Sequence, residues 1–336
     1  MEEEVKKKIE NCKRSVIVSH RSPDGDSIGS SLGLAKFLEN VGHEVQVIIP
    51  DNAPHFLKWM PGADQILVYE DQQKESEEKI KEAELVFCLD FNALSRLGKL
   101  EEPIKKAVSF KINIDHHQEP DHFADFSLID ADASSTCELV YQFIYDFTES
   151  KEYIDQNVAA CLYTGIVTDT GSFRFSSTSS NTHRIVADLI DTGIDNALVY
   201  QNIFDNYSVD RIRLLGFALS EMLKIHDSIH TATISLPEKE MQRFNLEKGD
   251  TEGLVNFPLS ISEVKVSVLL KEKEGQVRLS FRSKGSISVD EIAREHFEGG
   301  GHTNAAGGIF NGSVKDAEEK VVKVLEKYKN MLLKEE

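Results

Sequence analysis

Cysteine is scarce: Cys12, Cys88, Cys137 and Cys161 are the only four in 336 residues, and no two stand in CxxC spacing. A thiolate zinc site and a disulfide framework are therefore excluded as organising features. Long apolar runs are missing too. The longest, Val158 to Tyr163, covers six residues, far short of the roughly 20 that span a bilayer. The first ten residues, MEEEVKKKIE, read as a charged helical start and lack the apolar core of a secretory leader. Eight prolines and 20 glycines are too few for a fibrous or disordered chain. Positive charge is in deficit, since 38 Lys and Arg against 57 Asp and Glu leave a net −19. Binding to long duplex DNA draws most of its affinity from phosphate neutralisation, so that ligand is not expected. These absences describe a protein expected in the cytoplasm, with no membrane partner.

What is present is a chain that is 40% hydrophobic and long enough for two domains. The first half alternates strand-like runs with helical patterns. Ser15–Ser19, Glu44–Ile49, Leu85–Leu89 and Val108–Ile114 read as buried strands. Helical spacing is expected from Ser27 to Gly42, Thr136 to Phe147, Ile154 to Val167 and Asn181 to Asp191. Such alternation implies right-handed βαβ units and a parallel sheet. The second half is a smaller α+β arrangement. One helix is expected over Tyr207–Lys224, strands over His230–Leu236, Val264–Leu270 and Gln276–Phe281, and an amphipathic helix from Val314 to the end.

Four places in the first half set Asp or His where a strand or helix ends. His20, Asp24 and Asp26 follow the strand SVIVS. Asp90 ends LVFCL, while Asp115, His116 and His117 end KINI. Asp169 stands in TDTGSFRF, at the end of the Ile154 helix. Strand carboxyl ends of a parallel sheet collect on one edge, where ligands bind. A lone Asp after a strand is commonly a turn or cap residue, but so many at successive element ends are not all caps. Carboxylates crowded into one crevice repel unless protons or cations intervene. Mixed carboxylate and imidazole donors suit Mn²⁺ or Mg²⁺, with Zn²⁺, Fe²⁺ or Co²⁺ as alternatives. Four Asp and two His are enough for two cations sharing one carboxylate, the usual clamp for attack on phosphorus.

HxxxDxD after a strand, an isolated Asp after a later one, then DHH and DTG resemble the DHH phosphoesterase superfamily. FEGGGHTNAAGG at Phe297–Gly308 resembles the GGGH motif of its DHH-associated C-terminal domain. Within the superfamily, this two-domain length is most similar to the nanoRNase and pAp-phosphatase type. The resemblance implies a parallel-sheet DHH domain over 1–192, a helical linker over 193–225 and a substrate-binding domain over 226–336, with the catalytic cleft between the domains. It implies two Mn²⁺ ions, with Mg²⁺ or Co²⁺ as substitutes. His20, Asp24 and Asp90 would hold one; Asp26, Asp90, His116 and Asp169 would hold the other. Asp115 would orient a ligand and His117 would face substrate, making Asp90, Asp115 and His117 the catalytic set. The implied substrates are short oligoribonucleotides, pApA and pAp. Arg96, in DFNALSRLG, reads as a surface ion-pair residue, with substrate contact as the alternative.

In the second half, Arg278, Ser280 and Arg282 alternate with Val277, Leu279 and Phe281, so one strand face carries two guanidiniums and a hydroxyl. From Val264 to Gly285 there are six Lys or Arg against two Glu, a local +4. Forked guanidinium donors match phosphate oxygens. Gly299, Gly300 and Gly301 before His302 are expected to expose backbone N–H groups to an anion. Arg278, Ser280, Arg282, Gly300, Gly301 and His302 are thus the candidate substrate-binding residues. An inorganic pyrophosphatase-like hydrolase and a catalytically silent nucleotide-binding protein are the alternatives. The exposed apolar face of the first domain's later helices offers a surface for a homodimer.

Overall fold

The computed structural model describes residues 3–246 and 249–333. The chain divides into two compact units, the division falling between Asn206 and Tyr207. In the first unit, strands β1 (Arg14–Ser19), β2 (Glu44–Ile49), β3 (Leu67–Val68), β4 (Leu85–Leu89), β5 (Phe110–Asp115) and β6 (Phe126–Ile129) form one sheet in the order β3-β2-β1-β4-β5-β6. Every pairing in it is parallel. Helices α1 (Glu3–Asn11), α2 (Gly25–Asn40), α3 (Gln73–Glu82), α4 (Glu101–Lys106), α5 (Thr136–Thr148), α6 (Gln156–Asp169), α7 (Ser180–Asp191) and α8 (Asn196–Phe204) accompany it.

The strands are apolar on both faces because both faces are covered. Ile17, Leu85, Phe87, Leu89, Ile112 and Ile114 enter one core with residues of α2, α5 and α6. Val16, Val18, Val86 and Cys88 enter another with Ile80 of α3 and Ile104 of α4. Each fully buried side chain of this size contributes about 1.5–3 kcal/mol. The strand order reverses between β1 and β4, which creates a crevice at their carboxyl ends.

Helices α2 and α6 approach unusually closely. Gly25, Gly29 and Gly33 recur every fourth residue along one face of α2. A Cβ on Gly29 would stand 2.6 Å from the Cys161 carbonyl oxygen, and one on Gly33 would stand 2.7 Å from Leu162 Cδ2. A Cβ on Gly25 would collide with Thr168. The start of α2 therefore lies against the end of α6, so Asp26 and Asp169 arrive together.

The second unit has its own six-stranded sheet, ordered β11-β12-β10-β9-β8-β7. Its strands are β7 (Leu223–His226), β8 (Thr231–Leu236), β9 (Val266–Lys273), β10 (Gln276–Ser283), β11 (Gly300–His302) and β12 (Ala305–Asn311). Only the β8–β9 pairing is parallel. Its helices are α9 (Val209–Phe217), α10 (Glu238–Met241), α11 (Val289–His296), α12 (Val314–Lys327) and α13 (Lys329–Leu332). Val266, Val268, Val277, Leu279 and Phe281 pack beneath α11 and α12. Among the described residues, no helix is long and apolar enough to cross a membrane.

Three expectations need correction. The helix expected over Tyr207–Lys224 ends at Phe217, passes through a wider turn at Ala218–Met222, and gives way to β7. Leu223 and Ile225 pair with Ile234 and Ala232 of β8, and sheet hydrogen bonds there outweigh helical spacing. The glycine-rich stretch, expected to expose its backbone N–H groups, is instead paired into β11 and β12. Its glycines are needed for packing: a Cβ on Gly299 would collide with the Gly307 carbonyl, and one on Gly308 would stand 2.8 Å from Phe297 Cβ. The last helix breaks at Tyr328 (φ −93°, ψ 7°) before α13, and residues 334–336 of that expectation lie outside the described residues.

Gly29→Ala forces a methyl group onto a backbone carbonyl and is expected to destabilise the protein by about 1–3 kcal/mol. At Gly216 of α9 a Cβ meets nothing within 4 Å. Gly216→Ala is expected to stabilise by up to about 1 kcal/mol through helix propensity. Urea unfolding of the two variants measures the contrast; equal midpoints would refute the close-packing account.

Candidate active site

The loops after β1, β4 and β5 and the end of α6 bring every first-half candidate to one edge of the parallel sheet. Donor atoms of His20, Asp24 and Asp90 lie within 4.8 Å of one another. So do those of Asp26, His116 and Asp169, and those of Asp90, Asp115 and His117. Asp90 stands between these groups. Its Oδ2 is 3.2 Å from His20 Nε2, while its Oδ1 is 3.7 Å from both His116 Nε2 and His117 Nδ1.

Each side chain is aimed by a specific contact. The Arg21 carbonyl oxygen lies 2.9 Å from His20 Nδ1, which turns Nε2 toward Asp90 and Asp24. The Ala133 carbonyl oxygen lies 3.3 Å from His116 Nδ1, leaving Nε2 facing Asp26, Asp90 and Asp169. Asp24 caps α2 with one oxygen, which accepts from the Asp26 and Ser27 N–H groups. Its other oxygen turns to His20. Asp169 ends α6, and three successive left-handed residues, Gly171, Ser172 and Phe173 (φ 56°, 60° and 66°), then reverse the chain. Asp90 is left-handed as well (φ 65°), a conformation that costs a non-glycine residue about 1–2 kcal/mol. Phe91 points away from the site and stacks on Phe123 with centroids 5.7 Å apart.

Sequence reasoning missed the amino terminus of α5. Its first two N–H groups, of Thr136 and Cys137, donate to the two oxygens of Asp26 at 2.6 and 2.9 Å. The Thr136 hydroxyl donates to Asp90 Oδ1 at 3.0 Å. Unsatisfied N–H groups and the helix dipole both favour an anion there. The signal was Ser135-x-x-Glu138, a capping-box pattern. In the structure Ser135 caps α5, while buried Glu138 accepts from Ser134, Asn181 and Thr182 and fastens α5 to α7.

The electrostatics reflect too many acids in too little solvent. Burial, and then the neighbouring carboxylates Asp26 and Asp24, hold Asp90 well above the usual carboxylate range. Burial also pushes Asp26 up, with His116 pulling the other way. Burial opposes charge on His116, but Asp169, Asp26 and Asp90 overcome it and raise its pKa to about 9. Burial lowers His117, partly offset by Asp115 2.7 Å from its Nδ1, and that hydrogen bond keeps Asp115 ionised. The arrangement demands positive charge. Its oxygen and imidazole donors fit hard or borderline divalent cations, which would take the place of the protons.

In the second unit, Arg278, Ser280 and Arg282 lie on the face of β10 opposite Val277, Leu279 and Phe281. The glycine-rich segment offers fewer open donors than expected, because the Gly301 N–H donates to Asp290 Oδ1. His302 pairs in β11 with Ala305 of β12. The surface ion pair expected of Arg96 is absent among the described residues: its exposed side chain has no carboxylate within 4 Å, although its charge acts on Asp24 and His117.

Residues 14–166 match the DHH family, N-terminal domain, and residues 227–331 match the DHHA1 domain. The bifunctional oligoribonuclease and PAP phosphatase NrnA of Thermus thermophilus is 31% identical over 92% of this chain and 87% of its own. The probable bifunctional oligoribonuclease and PAP phosphatase NrnA of Streptococcus mutans is 29% identical over 89% of this chain and 90% of its own. The crystal structure of an exopolyphosphatase-related protein from Bacteroides fragilis superposes with a TM-score of 0.94 at 41% identity, covering 98% of this chain and 97% of that one.

Cation binding must displace the proton on His116, whose pKa is about 9. Below pH 9 that proton competes, so apparent Mn²⁺ affinity is expected to fall about tenfold for each unit the pH drops. Calorimetry at pH 7 in buffers of different ionisation enthalpy should register one or more protons released. Affinity independent of pH between 6 and 8 would refute this charge balance.

Proposed function

Because the chain belongs to the DHH phosphoesterase family, with a DHH domain followed by a DHHA1 domain, we propose that it hydrolyses short oligoribonucleotides, including pApA, to mononucleotides and removes the 3′-phosphate of pAp. One observation carries the reading: the Asp90 carboxylate stands between two groups of imidazole and carboxylate donors. The names of the relatives from Thermus thermophilus and Streptococcus mutans support the substrates.

His20, Asp24 and Asp90 would hold one divalent cation; Asp26, Asp90, His116 and Asp169 would hold a second, with Asp90 shared. We assign Mn²⁺ to both, with Mg²⁺ or Co²⁺ as substitutes. The bound cations would supply Lewis-acid polarisation of the phosphoryl oxygens and lower the pKa of the attacking water. The chain's own contribution is orientation and proton handling. Asp115 fixes the His117 ring through Nδ1, so Nε2 is the nitrogen offered to the leaving oxygen. Helix α5 holds Asp26 and Asp90 in place. Arg278, Ser280 and Arg282, with Gly300, Gly301 and His302, take the rest of the nucleotide.

Chelator-stripped protein supplied with Mn²⁺ is expected to turn over pAp, pApA and a five-nucleotide RNA. Long duplex DNA, pyrophosphate and inorganic polyphosphate should be poor substrates. Preferential hydrolysis of pyrophosphate or polyphosphate would overturn the reading. Asp90→Ala should lower turnover more than the ~10- to 100-fold typical of residues that only orient metal ligands. If it leaves turnover intact, catalysis does not run through this centre. Arg282→Ala should raise KM for pAp about tenfold with a smaller change in kcat, the pattern of lost ground-state binding.

A further inference from the structure

The catalytic arrangement above uses none of the first domain's five arginines, and two of these lack the partners that hold the rest. In that unit, Arg14 pairs with Glu84, Arg174 donates to the Gly171 carbonyl and Arg184 to Ser180. Arg21 and Arg96 differ. Both side chains are exposed, and neither makes a hydrogen bond or an ion pair among the described residues. In a chain of net charge −19, carboxylate partners are plentiful, so two guanidiniums without one, on residues joined through their backbones, stand out.

Their positions are built rather than incidental. The Arg21 N–H donates to the Arg96 carbonyl at 2.8 Å, which joins the loop after β1 to the loop after β4. Next to Arg21, Ser22 is held left-handed (φ 58°), its N–H donating to Asp51 Oδ1 at 2.6 Å. Gly98 (φ 58°) has no side chain, and a Cβ there would lie 3.6 Å from Arg21 Cδ, so the Arg21 stem runs alongside it. The two loops are those that deliver His20, Asp24 and Asp90. Behind the larger effects of burial and nearer partners, the Arg96 charge still registers at both Asp24 and His117. Positive charge thus stands beside the acidic cluster without being consumed by it.

We propose that Arg21 and Arg96 form a phosphate subsite on the first domain, taking a second, non-scissile phosphate of the substrate. The ligand is a phosphate monoester or diester oxygen one nucleoside away from the bond that breaks. Two forked, weakly hydrated donors suit such a group better than they suit a neutral sugar or base. The subsite rests on the nucleotide-hydrolase reading above. It adds a reason for preferring pAp to a nucleotide with a single phosphate.

The test compares pAp with adenosine 3′-monophosphate, which offers the same 3′-phosphate without the second one. Wild-type protein with Mn²⁺ is expected to prefer pAp in kcat/KM. In Arg21→Ala and Arg96→Ala that preference should shrink by about 10- to 100-fold, the range for a lost charge-assisted contact. A preference equal to wild type, or an equal loss on both compounds, would overturn the subsite. Equilibrium binding of pAp to the same variants separates this failure from failure of the parent reading. In a protein that turns over neither compound, a dissociation constant raised tenfold by either substitution still sustains the subsite. One that neither substitution changes overturns it.

Discussion

Asp90 is buried among two carboxylates, Asp26 and Asp24, and three imidazoles, His20, His116 and His117. Its charge is tolerable only if positive charge arrives with it. In the metal-free protein a proton on His116, whose pKa is raised to about 9, supplies part of this, while burial and the neighbouring carboxylates push Asp90 up. The remaining features of the site are ways of limiting that repulsion without abolishing it. The amino terminus of α5 takes both oxygens of Asp26, and the His117 ring hydrogen-bonds Asp115. What is left over, a concentrated demand for cations around one shared carboxylate, is the property a metal-dependent phosphoesterase needs.

The topology makes that concentration achievable. Reversal of strand order between β1 and β4 opens the sheet edge where His20 and Asp90 emerge, and β5 adds the Asp-His-His run beside them. Asp26 and Asp169 come from helices, so their approach depends on how tightly α2 and α6 pack. The glycine face of α2 sets that distance: a Cβ on Gly165 of α6 would lie 2.8 Å from Asp26 Oδ1. Core packing and catalytic geometry are here one constraint.

Much of this was legible in the sequence because parallel sheets gather their carboxyl ends, so Asp and His at strand ends can be placed without coordinates. Asp169 was legible for a related reason, as the end of a helix following such a strand series. The donors on α5 were not legible as donors, since a backbone N–H leaves no mark in residue type. The Leu223–His226 strand was hidden because Leu219, Met222 and Leu223 satisfy helical spacing, and only pairing with β8 decides otherwise. The strands β11 and β12 were hidden because glycine has poor strand propensity. There the glycines answer to the close approach of Phe297 and of the neighbouring strand. Arg96 reads as a surface ion-pair residue, with substrate contact as the alternative, yet among the described residues no carboxylate reaches it.

Gly307 shows where packing stops being a sufficient explanation in the second unit. Gly299 and Gly308 have no room for a side chain, whereas a Cβ on Gly307 would meet only the Leu279 carbonyl oxygen, at 3.8 Å. Gly307 is exposed and pairs with Ser280, so it shares the outward face of Arg278, Ser280 and Arg282. On the same side of the sheet, Ile234, Leu236 and Leu269 of β8 and β9 are covered by Leu215, Leu219 and Met222. That apolar cover ends at β10. Beyond it the face presents two guanidiniums and a hydroxyl on β10 beside the exposed Ile309, the bare backbone of Gly307 and Ala305 on β12, a composition more polar than the covered part of the sheet. A side chain at Gly307 would cost the fold little and would stand over Ser280. Its absence keeps the polar strip open, as the substrate contact proposed for this strand would require.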